Sequence, residues 1–228
     1  MRLNLARRLV AEGIATAMLL AAIVGSGIMG VRLASGNPGL ALLANTIATG
    51  AALLALILTF AAVSGAHLNP VVSIAEAFAG RLPGREAPGY IAVQLVGAIS
   101  GVAIAHQMFG LPWFFASNQA RSGANQIFSE FIATFGLLTI IQVGAYREQR
   151  CPNWTAFAVA AYITAGYWFT SSTSFANPAV TIARSLSDTF VGIRLVDVPG
   201  FICGQLAGAT AAVVLCRWLQ SKKSPHTD

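Results

Sequence analysis

Charge is what this sequence has least of. Charged residues fill 10% of its 228 positions, and only 8 are acidic against 14 Lys and Arg. That is too few to clothe a water-soluble domain of this size. Cysteine is scarce as well. Cys151, Cys203 and Cys216 are odd in number and scattered, so they form neither a disulfide framework nor a metal-ligand spacing. No paired His, Cys or carboxylate cluster supports catalysis, so the chain reads as a non-enzyme with no cofactor and no metal. The net charge of +6 is not gathered on an aromatic-bearing patch, which argues against nucleic acid as a partner. The first apolar run is too long for a signal-peptide core and has no clear cleavage site.

What the chain has in quantity is hydrophobic length. Hydrophobic residues make up 56% of it, and mean hydropathy is +0.68. The run from Leu40 to Val63 exceeds the ~20 residues needed to cross a ~30 Å hydrocarbon core. Six such spans are expected, at about 9–31, 40–63, 88–108, 125–146, 152–170 and 198–219. A basic amphipathic start carries Arg2, Arg7 and Arg8. Basic turns follow at Arg81-Leu-Pro83-Gly-Arg85 and around Arg147, Glu148 and Arg150. The segment 109–124, with Trp113, Phe114 and Phe115, reads as a loop with an interfacial aromatic belt. A polar tail occupies 221–228.

One short phrase occurs twice between the spans: Asn69-Pro70-Val71 and Asn177-Pro178-Ala179. Asn is a favoured N-cap, and Pro fits the first helical turn, where its missing N–H had no partner anyway. The short helices that follow, about 69–79 and 177–186, would each be ~15 Å long, half a membrane. The Asn side chains cap with their oxygen and keep both amide donors for other work. A single copy would be an ordinary cap. Two copies in matching context, in a chain this hydrophobic, point to two re-entrant half-helices meeting cap to cap near the midplane.

Charge orients this topology. Arg2, Arg7, Arg8, Arg81, Arg85, Arg147, Arg150, Arg217, Lys222 and Lys223 fall on one side, and Arg32, Arg121, Arg184 and Arg194 on the other. That bias places both termini in the cytoplasm, provided each Asn-Pro segment enters and leaves on one side. The halves also repeat. Glu12-Gly-Ile-Ala-Thr16 answers Glu130-Phe-Ile-Ala-Thr134, and Gln94-Leu-Val-Gly-Ala98 answers Gln205-Leu-Ala-Gly-Ala209. Three spans per half make the second half inverted, with repeat one at about 9–108 and repeat two at about 125–219 of a single domain, 1–228. The expected fold is an all-α membrane protein of six transmembrane helices plus two re-entrant half-helices in an inverted 3+3 repeat. Such repeats with helices broken at the midplane characterise solute-conducting proteins.

These motifs together resemble the aquaporin, or major intrinsic protein, family across essentially the whole chain. Val71 replaces the family's usual Ala, and Arg184 stands a turn beyond the position where most members carry Arg. The phrase Ser174-Phe-Ala-Asn-Pro-Ala-Val-Thr-Ile-Ala-Arg184 is similar to bacterial members linked to arsenic-resistance operons. The resemblance implies a homotetrameric channel in the inner (plasma) membrane, passing water, glycerol-like polyols and metalloid hydroxides such as arsenite or organoarsenicals. It maps the family's four filter positions to Thr49, Ala165, Ser174 and Val180: two small residues, one Thr and one Val, in place of a large aromatic, His and Arg. The opening is then wide and free of Arg, unless Arg184 fills the space from one turn further on.

The residues themselves suggest how such a pore works. Extended backbone before each cap, Gly65-Ala66-His67 and Ser174-Phe175-Ala176, offers a ladder of carbonyl acceptors. His67 reads equally as a residue beside that ladder or as a buried histidine satisfied by backbone. Glu12 and Glu130, as carboxylates within apolar spans, either brace the irregular backbone before each Asn-Pro or relay protons. The relay reading corresponds to an inverted-repeat ion channel or proton-coupled transporter. Gly97, Gly101, Gly204 and Gly208 read as helix-packing faces, with Gly50 a further close contact. Arg184 and Asp188 read as a solvated pair at the vestibule.

Overall fold

The computed structural model describes residues 3–148 and 150–221, Tyr146 and Arg147 by backbone alone. Arg2, Lys222, Lys223, most of the polar tail and the side chain of Arg147 therefore lie outside the described residues. Among the described residues eight α-helices follow in order: α1 (Leu5–Leu33), α2 (Pro38–Ser64), α3 (Pro70–Phe78), α4 (Ala87–Met108), α5 (Ala124–Glu148), α6 (Trp154–Phe169), α7 (Pro178–Arg184) and α8 (Val198–Gln220). No strand occurs among the described residues. Six helices form the bundle, and α3 and α7 are the two half-helices.

The helix starts are local chemistry. Asn4 accepts from the Arg7 N–H and Asn37 from those of Gly39 and Leu40, with Pro38 in the first turn. Among the described residues, five segments are long and apolar enough by composition to cross a membrane. The sixth, α6, has 16 residues, about 24 Å at 1.5 Å per residue. It is shorter than the span expected at 152–170 for a reason visible at both ends. Asn153 before it is in the left-handed region (φ 67°), and Thr170 after it is already extended, where the chain turns back into the second Asn-Pro loop.

Close packing sets the bundle. α1 lies along α4, and α5 along α8. A methyl group at Gly97 or Gly101 would collide with the backbone carbonyls of Gly13 and Ala17 in α1. One at Gly204 or Gly208 would collide with those of Ile127 and Phe131 in α5. Gly50 faces Thr164 of α6 at similarly short range. Small residues let the backbones touch, which is how helices associate without a hydrophobic driving force between them. The half-helices cross over: α7 packs on α4 as well as α8, and α3 on α8 as well as α4. The polarity is that of a protein in lipid. Glu12, Glu130, Gln94 and Gln205 are fully buried, while Val10, Ile47, Val96, Phe128 and Val214 face outward.

Candidate functional site

The site begins where α3 and α7 meet at their N-termini. The Asn69 side-chain oxygen accepts the Val71 N–H at 3.1 Å, and that of Asn177 accepts the N–H groups of Ala179 (3.0 Å) and Val180 (3.3 Å). The amide groups then cross between halves. Asn69 Nδ2 donates to the Ala176 carbonyl at 2.8 Å, and Asn177 Nδ2 donates to the Leu68 carbonyl at 2.7 Å. This corrects the expectation of two donors kept for other work. One donor of each Asn ties the halves together, and one remains. Pro70 and Pro178 sit buried in the first helical turns, beside Val71 and Ala179.

Behind each turn stands a carboxylate. Glu12 accepts the Leu68 N–H at 2.5 Å, the Ser64 hydroxyl at 2.7 Å and the Gln94 amide at 2.9 Å. Glu130 accepts the Phe175 N–H at 2.9 Å, the Ala176 N–H at 2.8 Å and the Gln205 amide at 2.6 Å. Each Gln amide also reaches a hydroxyl one turn inside a half-helix: Gln94 to Ser73 at 2.9 Å and Gln205 to Thr181 at 2.8 Å. The Ser172 hydroxyl bonds to Glu130 as that of Ser64 does to Glu12, and the pairs Ser64/Ser172 and Ser73/Thr181 escaped the sequence reading. Their signal was present, since each pair holds the same offset from its Asn.

The loops are not the extended backbone expected. Ala66 (φ 47°), Leu68 (φ 53°), Ser174 (φ 52°) and Ala176 (φ 48°) adopt left-handed conformations at matching positions of the two halves. Such residues cost of order 1–3 kcal/mol each and persist only where surroundings over-determine them. The Glu–Gln–Ser frames supply that determination.

An elongated cavity of about 630 Å³ runs past these turns. Thr49, Ser174, Phe175, Val180 and Arg184 border it at one end, and Arg8, Glu76, Arg81 and Glu148 at the other. Gly65, Ala66, His67, Asn69 and Asn177 line its middle, opposite an aliphatic wall of Leu19, Ile23, Leu53, Leu137 and Ile163. Glu12, Glu130, Pro70, Val71, Pro178, Ala176 and Ala179 are not on its surface; they are buried behind it. Ala165 is a correction: it is exposed on the outside of α6. From that helix the cavity is lined by Thr155, Val159, Ile163 and Tyr167, and Gly166 abuts the Ser174 side chain. Spacing from Asn177 counts residues through a loop and does not fix helix rotation. One residue of error turns a helix by about 100°.

At the Thr49 end, the Tyr167 hydroxyl donates to Thr49 Oγ1 at 3.3 Å, and Ser174 Oγ is buried without a partner. Arg184 is 2% exposed. Its guanidinium lies 3.3 Å from the centroid of the Phe175 ring, and Nε donates to the Val191 carbonyl. The expected solvated pair with Asp188 is therefore not formed. Asp188 instead accepts the Asn118 N–H and side-chain amide, both at 2.8 Å. Those bonds hold its carboxyl below the usual aspartate range. Arg121, counted in the sequence as an outer charge, has structural work. It donates to the carbonyls of Gly192 (2.7 Å) and Ser172 (3.1 Å) and lies over the Phe175 ring at 5.0 Å. Val180 and Arg184 thus border the same cavity.

Toward the other end, His67 Nδ1 bonds with Ser73 Oγ at 3.0 Å, and its ring lies 5.2 Å from that of Tyr90. It is satisfied by a side chain, not by backbone. Arg81 grips Glu76 through two bonds of 2.6 and 2.5 Å, and Arg8 pairs with Glu86 at 2.7 Å.

Known proteins resemble this chain in sequence and in fold. The aquaglyceroporin AqpS of Rhizobium meliloti is 49% identical over 222 residues, spanning 97% of this chain and 94% of that protein. The glycerol uptake facilitator protein of Bacillus subtilis is 34% identical over 148 residues, 58% of this chain and 53% of that protein. The aquaglyceroporin from Plasmodium falciparum has the same fold: its crystal structure matches with a TM-score of 0.68 at 21% identity, over 94% of this chain and 95% of that one. The model of the family described as Major intrinsic protein matches residues 1–166. By sequence across its length and by fold, this chain belongs to the major intrinsic protein family, whose members are membrane channels and not enzymes.

Proposed function

We propose that this chain is a passive channel for small neutral hydroxylated solutes: water, glycerol-like polyols and metalloid hydroxides such as arsenous acid. The observation that carries the reading is the meeting of Asn69 and Asn177 on one cavity wall, at the N-termini of α3 and α7. Each helix end brings roughly half a positive charge. Each Asn retains one N–H, so a passing oxygen accepts there and turns its own hydrogens away along the path. A cation at this point meets two positive ends and loses hydration without repayment. The names of two relatives, an aquaglyceroporin and a glycerol uptake facilitator, agree with a polyol-sized cargo.

Selectivity is assigned to the end bordered by Thr49, Ser174 and Val180, with Tyr167 in place of Ala165. Val180 supplies no donor and little bulk. Arg184 adds a guanidinium one turn away, held flat against Phe175. Its remaining N–H groups have no protein acceptor among the described residues, which leaves them available to a solute oxygen. The wall is thus wide at Val180 and polar at one edge. Glu12 and Glu130 are read as braces: each is filled with donors and neither faces the cavity. That arrangement supports bracing over a proton relay. The remaining elements are a single channel domain over 1–228, both termini cytoplasmic in the plasma membrane, and a homotetrameric assembly.

Proteoliposomes test the reading. Stopped-flow uptake should show permeability to water, glycerol and arsenous acid above that of protein-free vesicles, with no conductance in planar bilayers. Measurable ion current, or glycerol uptake equal to the empty-vesicle rate, would refute it.

A further inference from the structure

A second, smaller cavity of about 230 Å³ lies between the C-terminal end of α3 and the last turns of α5 and α8. Arg81, Gln142, Cys216, Arg217 and Gln220 line it, with Phe78. Its position is the end of the bundle where the basic residues gather. Phe78 in its lining is 65% exposed, and Trp218, next to Arg217 in the sequence, is 71% exposed, the pattern of side chains at a membrane–water boundary. The chain continues beyond Ser221 directly into Lys222 and Lys223.

The charge here is unbalanced. Arg81 is gripped by Glu76, at 2.5 and 2.6 Å. Arg217 spends one donor on the Phe78 carbonyl at 3.0 Å, where it caps the negative end of α3. Among the described residues no carboxylate lies within ion-pair distance of Arg217. Its Nε and second amino group have no acceptor among those residues. Helix capping accounts for one of its five donors and leaves a fork suited to a phosphate.

We propose that this cavity binds a phosphate-bearing anion, through Arg217 with Arg81 beside it, and that the source is the headgroup of an anionic lipid at the membrane surface. Basic pockets between transmembrane helices on the cytoplasmic side are suited to such headgroups. Arg81 also borders the mouth of the conducting cavity, whereas Arg217 does not, and the test does not depend on flux.

The intact protein in neutral detergent is melted while a short-chain phosphatidylglycerol is titrated in. Parallel titrations use the matching phosphatidylcholine and inorganic phosphate. Phosphatidylglycerol should raise Tm saturably, by roughly 5 °C, as expected of a ligand that binds only the folded state. Phosphatidylcholine should raise it far less. Arg217→Gln should lose the shift, and Arg217→Lys, which keeps the charge without the fork, should retain part of it. Either variant keeps the test open if the other fails to fold. An equal shift with inorganic phosphate alone would support the anion site and overturn the lipid as its source. Equal shifts with both lipids, or a full shift in Arg217→Gln, would overturn the site altogether.

Discussion

His67 stands two residues before Asn69, and Phe175 stands two residues before Asn177. Each ring leans on a second ring from the last long helix of its own half: His67 on Tyr90 at 5.2 Å, Phe175 on Phe201 at 5.1 Å. The frames around them are alike, with a carboxylate, a Gln and a hydroxyl behind each Asn-Pro turn. The rings differ. The first half carries a polar pair, with Tyr90 donating to the Ser64 carbonyl at 2.7 Å. The second carries an apolar pair beneath two guanidinium groups, those of Arg121 and Arg184. What both halves share holds backbone that would otherwise relax. What they do not share includes His67 and Phe175, which border the cavity, and the proposed selectivity rests on that side of the molecule.

The comparison can be broken most severely at the carboxylates. Glu130→Gln converts a receiver of two backbone N–H groups into a group that itself donates. An unsatisfied buried donor costs about 1–3 kcal/mol, so loss of roughly 2–4 kcal/mol is expected, read as a lower melting temperature and poor recovery of folded protein. Glu12 receives one backbone N–H where Glu130 receives two. Glu12→Gln should therefore be the milder of the two. Equal melting temperatures for both variants and the parent would remove the bracing role.

Next in size is the amide pair. Asn177→Asp keeps a good cap but removes the bond to the Leu68 carbonyl and places a negative charge among the positive helix ends. Solute uptake should fall by about tenfold, the equivalent of ~1.4 kcal/mol on the barrier, and bilayers should begin to pass cations. Asn69→Asp should do the same, because the frame is common to both halves. A leak in one variant alone would show that the halves are not equivalent at this point.

Smaller effects follow at the rings and the outer loop. Tyr90→Phe makes the first ring pair more like the second; it should cost about 1 kcal/mol through the lost bond to Ser64 and leave the water-to-glycerol ratio unchanged. At Asp188 the Asn118 bonds lower the folded-state carboxyl below its unfolded value. That contribution is complete above the ordinary aspartate range near ~3.9 and is lost as pH falls through the lower folded value. Protease nicking of the 109–123 loop should therefore rise only under acid conditions, and Asp188→Asn should flatten that dependence.

Much of this was legible in the residues. Span order, the two half-helices and the pairing of Glu12 with Glu130 follow from hydropathy and from phrases that repeat at fixed offsets. Glycine faces at Gly97, Gly101, Gly204 and Gly208 follow from four-residue spacing on a helix. The failures share a cause. Ala165 was placed by counting through a loop, which leaves rotation about the helix axis undetermined. Arg184 and Asp188 stand four apart, but the short helix α7 ends at Arg184, so Asp188 leaves on a loop and meets Asn118 instead. Arg121 binds carbonyls at 172, 190 and 192, contacts that no local pattern announces. Each Asn's second partner lies in the other half, more than one hundred residues away, so its amide looked unoccupied.

The central claim is that the Thr49–Ser174–Val180 end discriminates by width. Val180→Arg tests it most directly, by paired stopped-flow uptake of water and glycerol in the same proteoliposomes. A long side chain with five N–H donors in place of Val should cut glycerol permeability by about tenfold or more, a barrier change of ~1.4 kcal/mol, while water changes far less. A proportional fall in both, or no change in either, would contradict the claim and move the discriminating role to Arg184.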